Sequence, residues 1–170
     1  MKLNNFILIV ILISVFTISS SFGKQKIGVY DSRLIAIMYA NSEEFEAETK
    51  EMMEKYQQAV INKDSVTANK LKEDRELLQR LFHDKGFGKG SVAEYLEDKT
   101  AVFKALAEKL ELTAIVSKWE LNYYSNDVEL IDITIDLLKA MNAKEKVLKM
   151  YDSMKANPPM KNAFFLDMNK

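Results

Sequence analysis

The chain contains no cysteine, one histidine, one tryptophan, two prolines and five glycines. Without cysteine there is no disulfide, no thiol nucleophile and no zinc–thiolate site, so packing alone must stabilise the fold, even in an oxidising compartment. A single histidine, His83, excludes a His-rich metal centre. The two prolines are adjacent (Pro158, Pro159), and three of the glycines (Gly86, Gly88, Gly90) share one short stretch. The interior is therefore poor in helix breakers and favours long helices. Charge of one sign is also lacking. With the Lys2 leader set aside, 23 basic side chains face 25 acidic ones, which gives no electrostatic case for nucleic acid. There is no G-x-S-x-G, no H-E-x-x-H and no serine-triad spacing. We expect no catalytic residue, no metal and no cofactor.

One long apolar run is present. Lys2 precedes Phe6–Ile18, which is followed by Ser19-Ser20-Ser21-Phe22-Gly23 and then by Lys24-Gln25-Lys26. A basic start, an apolar stretch and small residues form a secretory signal pattern, with cleavage expected near Gly23. The run of 13 residues is shorter than the ~20 that span a bilayer, so no stable membrane span is expected after its removal. Removing 23 of 170 residues leaves 147, the size of one domain with a real core. The expected address is extracytoplasmic: periplasmic or secreted.

Lys26–Asp31 reads as a buried strand and Ser32–Ala40 as a short apolar helix. Asn41 with Glu44 reads as a capping box, opening a helix to about Ile61. Asn62–Ser65 is a turn cluster, and a second helix runs from Val66 to about His83. We read residues 42–83 as a helical hairpin rather than one continuous helix, because Asn62, Asp64 and Ser65 compete for the backbone. After the glycine cluster, Ser91-Val-Ala-Glu94 is a second capping box, expected to start a helix ending near Leu112. Thr113–Ser117 reads as a second strand. Leu121–Tyr124 reads as a third, joined to it by a bend at Lys118-Trp119-Glu120 as a β-hairpin. Leu130–Met141 reads as a helix, although Ile131-Asp-Ile133-Thr-Ile135 alternates as a strand would. Ala143–Lys155 is a last amphipathic helix, and residues 156–170 are expected to be a loosely held tail. The expected fold is thus a mainly helical α/β (α+β) domain over residues 24–155, with a small sheet of about three strands, a helical hairpin insertion and C-terminal helices.

Several segments carry a resemblance. They are Lys26-Ile27-Gly28-Val29-Tyr30-Asp31, then helices, then Leu112-Thr-Ala-Ile-Val-Ser, Asn122-Tyr-Tyr-Ser-Asn-Asp127-Val and Asp132-Ile-Thr-Ile-Asp-Leu-Leu138. In this order they resemble the Skp/OmpH-like periplasmic chaperone family. Val29-Tyr-Asp-Ser-Arg33, His83-Asp-Lys-Gly-Phe87 and Ala114-Ile-Val-Ser-Lys-Trp119 are more similar still to small secreted bacterial proteins. The chaperone resemblance implies a homotrimer whose helical arms hold unfolded outer-membrane proteins. The arms here are shorter than the family's, and the basic character of the family is missing.

Polar residues at strand ends are the second candidate. Asp31 and Arg33 follow the first strand, Lys118 and Trp119 follow the second, and His83 ends a helical arm. Ligands collect at such ends in sheet proteins, so these five residues could line one ligand-binding cleft. Alternatively, Asp31 and Arg33 cap a helix and pair with each other, Lys118 is solvated, Trp119 is core and His83 simply ends its helix. Gly86-Phe-Gly-Lys-Gly-Ser91 has a glycine between Lys89 and Ser91 that a P-loop lacks, and we read it as a connector. Met52, Met53, Tyr56 and Val60 on the first hairpin helix are the candidate client-contact surface. The expectation is a non-enzymatic, chaperone-like protein that binds unfolded or envelope proteins. A small-ligand protein or cryptic enzyme, and a structural envelope subunit, are the alternatives.

Overall fold

The structure is a computed structural model and describes residues 24–159. The signal-peptide expectation for residues 1–23 and most of the expected tail, 160–170, lie outside the described residues. The order of elements is β1 (Gln25–Tyr30), α1 (Ser32–Ala40), α2 (Glu43–Ile61), α3 (Ser65–Gly86), two short 3-10 turns (Ala93–Tyr95 and Glu97–Lys99), α4 (Thr100–Leu110), β2 (Ala114–Ser117), β3 (Val128–Asp132), α5 (Thr134–Ala140) and α6 (Glu145–Met154). This is a mainly helical α/β fold with a small three-stranded sheet.

The three strands are all parallel, in the order β2-β1-β3. Ile27 lies opposite Ala114 on one side and Leu130 on the other. Gly28 sits centrally because a Cβ there would come within 2.7 Å of Leu112 Cδ1 and 3.2 Å of Ile133 Cδ1. Parallel neighbours need crossovers, and the first crossover holds α1, the helical hairpin and α4. The core lies where α1, α5 and α6 meet the sheet. Leu34, Ile35, Ile133, Leu137, Leu138 and Val147 are fully buried there.

The expected antiparallel β-hairpin does not form. Leu121–Ser125 is not a strand, Tyr123 and Tyr124 are exposed, and the third strand is Val128–Asp132. That strand occupies the start of the segment read as a helix. The physical reason is Asp132, whose Oδ1 accepts from the Thr134 backbone N–H (2.9 Å) and from the Thr134 hydroxyl (2.6 Å). This local side-chain turn precedes the helix that starts at Thr134 and leaves Ile131 to the strand, with Ile133 N–H still donating to Val29 O at 2.9 Å.

Two other boundaries also shift. Ser42, not Asn41, caps α2 by accepting from Phe45 N–H at 3.1 Å, while Asn41 closes α1 and donates its side-chain amide to Ile37 O. The Ser91–Glu94 capping box is not made. Ser91 Oγ accepts from Ala93 N–H, Glu94 pairs with Lys85, and the α-helix begins only at Thr100.

The hairpin of α2 and α3 leaves the body from α1. Their turn places Lys63 at φ 55°, and Asp64 caps α3 by accepting from Thr67 N–H and Oγ–H. At 1.5 Å per residue, the 19 and 22 residues of the arms run about 28 and 33 Å.

Candidate functional site

β1 delivers Asp31 to the carboxyl edge of the sheet, where it caps α1 and forms a buried ion pair. Asp31 and Arg33 are 2% and 5% exposed. Arg33 Nη2 donates to Asp31 Oδ2 at 2.6 Å and Nε to Oδ1 at 2.9 Å. Arg33 backbone N–H (3.1 Å) and Trp119 Nε1 (2.8 Å) donate to the same Oδ1. The Arg33 guanidinium lies 4.7 Å from the Trp119 ring centre, and Lys118 Nζ lies 5.1 Å from it. Both cations thus face an aromatic ring.

The cluster extends to other segments. Arg33 Nη2 donates to Met154 O at 3.0 Å, fixing the end of α6. Asp31 N–H donates to Thr134 Oγ1, which in turn donates to Asp132, joining the ends of β1 and β3. Gly88, at φ +74°, lets the glycine loop close against Pro159 and Arg33. Both carboxylate oxygens of Asp31 are taken by charged or N–H donors. The group is therefore built to hold segments together rather than to abstract a proton.

Of the five residues proposed for this cleft, Asp31, Arg33, Lys118 and Trp119 come together and His83 does not join their contacts. His83 packs edge-to-face on Phe87 at 6.0 Å and lines an apolar groove with Phe45, Leu78 and Phe82. Sequence reasoning missed Thr134 and Met154 as partners. The Asp132-Ile-Thr134 cap was the available signal for the first, while a backbone carbonyl such as Met154 O leaves none.

A second cluster seats the hairpin on the body. Tyr39, Phe45, Phe82 and Tyr95 form an aromatic group, with Tyr39–Tyr95 stacked at 4.0 Å and Phe45–Phe82 edge-on at 4.4 Å. Lys85, 8% exposed, pairs with Glu94, donates to Tyr95 Oη at 3.1 Å and lies 4.6 Å from the Tyr95 ring centre. Burial pulls the Lys85 amine down, but the hydrogen bonds and charges of Glu94 and Tyr95 together outweigh it and the net direction is up. The hydrogen bond from Lys85 holds Glu94 below its ordinary value, and burial raises Tyr95.

Along the arms, Met52, Met53 and Tyr56 line a cleft of about 100 Å³ with Leu71, Arg75 and Leu78. A groove of about 260 Å³ at the base shares Thr49, Arg75 and Leu78 with it, so the two form one trough. Val60, the fourth proposed contact residue, lies beyond the trough near the tip, where Ile61 and Val66 are 73% and 79% exposed.

Among the described residues, no group of three or more His, Cys, Asp or Glu could hold a metal ion, and no helix is long and apolar enough to cross a membrane. No known protein family, curated protein or solved structure matches the chain.

Two predictions follow from these clusters. Asp31→Ala and Arg33→Ala should each lower stability by about 3–5 kcal/mol, because each leaves a buried charge without its partner. The double variant should lose much less than the sum, as urea unfolding of the four proteins would read. The Lys85–Glu94 contact should be pH-dependent. Glu94 lies below its ordinary 4.5, so its contribution is complete above that value and fades as pH falls through the lower folded value. Lys85 lies above its ordinary 10.5, so its contribution is complete below that value and fades as pH rises through the raised one. Acid titration of hydrogen exchange at residues 82–95 should show the acidic step, and Glu94→Gln should remove it.

Proposed function

We propose that this protein binds other proteins without catalysis, outside the cytoplasm, holding apolar segments of unfolded or envelope proteins with its helical hairpin. The observation that carries this reading is the arm itself. Ala59 is the sole buried side chain of α2 and Lys85 that of α3, so a two-helix arm lines a trough with exposed Met53 and half-buried Met52, Tyr56 and Leu78, and among the described residues no third layer lies over it. A methionine-rich surface adapts to varied apolar partners, and exposed apolar surface of this kind marks interaction sites. The trough is flanked by Arg75 and Lys72, which among the described residues take part in no ion pair. The resemblance to Skp/OmpH-like chaperones supports the same use of the arms. It adds a homotrimer in which the arms of three copies surround a client.

The chain from Lys24 to Lys170 should suppress light scattering when an unfolded outer-membrane protein is diluted from urea. Met53→Asp with Tyr56→Asp should weaken that suppression severalfold without lowering the midpoint of unfolding. Equal scattering with and without the protein would end the client-holding reading. Light scattering after size exclusion should give the mass of three chains, and a single-chain mass would remove the shared cage.

A further inference from the structure

β2 is an edge strand: the sheet order is β2-β1-β3, and among the described residues no strand pairs with its outer side. The ladder fixes which groups that side presents. On β1, Gln25 N–H donates to Asp127 O and Val29 O accepts from Ile133 N–H, so both residues face β3, while Tyr30 O accepts from Lys118 N–H and faces β2. Successive residues of a strand point their N–H and C=O to opposite edges. Val116 therefore faces β1 with Lys118, and Ile115 turns its N–H and C=O outward. Thr113 and Ala114 are exposed and Ile115 is half-buried, so this stretch of edge is open. It is covered again at Ser117, which is 2% exposed.

Beside the open edge lies a groove of about 520 Å³ between β2 and α4. Tyr30, Leu96, Phe103 and Ile115 give it an apolar lining, and Thr100 and Ala107 mark the two ends of its helical wall. We infer that this groove takes an extended peptide segment, which joins the sheet as a fourth strand on Ile115 and sets an apolar side chain against Leu96 and Phe103. Hydrogen bonding, size and charge select that occupant. The outward N–H and C=O of Ile115 are complementary to another extended backbone, the pattern of strand addition. From Thr100 to Ala107 the wall is about 10 Å long at 1.5 Å per residue, room for about three extended residues at ~3.3 Å each. Folded partners in a stable complex each bury about 800 Å², far more than three residues supply, so a short flexible segment fits and a second folded copy does not. Lys104 is paired with Glu108 at 3.9 Å. Glu97, at the end of the groove away from the α4–β2 connection, takes part in no ion pair among the described residues, and it favours a lysine or arginine on the segment there.

An added strand sends its side chains alternately to the two faces of the sheet, so the neighbours of the groove-facing residue are free to be polar. Strands of outer-membrane barrels alternate in this way. Naming such an unfolded protein as the source of the segment rests on the client-holding reading, whereas the groove lies on the body, apart from the trough of the arms.

The fluorescent peptide Thr-Val-Thr-Phe-Thr-Val-Lys, added to the chain from Lys24 to Lys170, tests the site by anisotropy and hydrogen exchange. It should bind and slow exchange at the Ile115 amide by about tenfold. Methylating alternate amides of the peptide should weaken binding about tenfold in one register and little in the other, because only one set meets β2. Thr100→Trp, which fills the groove from an exposed position, and Glu97→Lys, which repels the basic end, should each weaken binding without moving the midpoint of unfolding. Equal losses from both methylation registers, unchanged affinity in Thr100→Trp, or unchanged exchange at Ile115 would overturn the inference. So would protection of Ile115 that appears without peptide at high protein concentration and so belongs to a second copy. Met53→Asp with Tyr56→Asp leaves the groove intact, and peptide binding should persist there. If the peptide binds while unfolded outer-membrane protein still scatters fully, the client reading falls and the strand site stands. Suppressed scattering with no peptide binding leaves the arms as the holder and removes the strand site.

Discussion

The structure hangs on one buried ion pair. Asp31 leaves β1 as the N-cap of α1, receives Arg33 and Trp119, and passes a backbone hydrogen bond to Thr134 at the head of α5. Arg33 then reaches the end of α6 through Met154 O. Segments far apart in sequence meet at the carboxyl edge of the sheet because these groups have no water to turn to and must satisfy one another. Such pairs add little net stability over an apolar substitute, yet removing one member strands the other. That asymmetry suits a clasp: it enforces a single arrangement of β1, α1, α5 and α6 instead of merely adding attraction.

The hairpin is held differently. At its base an aromatic group and the Lys85–Glu94–Tyr95 contact dock it onto α1 and the loop before α4. Beyond that base the two helices have mainly each other. An apolar seam between two helices covers one side of each, so among the described residues the outer half of the seam is left uncovered. The body is a rigid platform made by burial, and the arm is a surface made by the lack of it.

Much of this was legible in the residues, where signals were local. The hairpin turn at Asn62–Ser65, the strand read over Lys26–Asp31 and found at Gln25–Tyr30, and the strand read over Thr113–Ser117 and found at Ala114–Ser117 all follow from composition within a few residues. Strand direction was not legible. Trp119 resembles a bend residue, and only the partner it finds, Asp31 at 88 residues' separation, shows that the chain continues past the sheet instead of folding back. The Val128–Asp132 strand was obscured because its Ile131/Ile133 alternation merges with the helical spacing of Leu137 and Leu138. At the candidate cleft, the strand-end position of Asp31, Arg33, Lys118 and Trp119 was readable. The saturation of Asp31 by its neighbours, and the different surroundings of His83, depend on packing that no local pattern encodes.

The central strand has a further consequence for how the chain reaches its native state. β1 comes first among the strands, yet its neighbours lie far downstream: Lys26 O meets Thr113 across 87 residues, and Asp31 meets Thr134 across 103. A chain emerging from its N-terminus must keep this apolar strand unpaired on both edges until β2 has been made, and on one edge until β3 has. The helical hairpin closes through contacts within about forty residues and can form long before. Assembly therefore runs from the arm toward the platform, with sheet closure as the slow, non-local step. In that interval the unpaired Ile27–Tyr30 edge is the part of the molecule most exposed to misassociation.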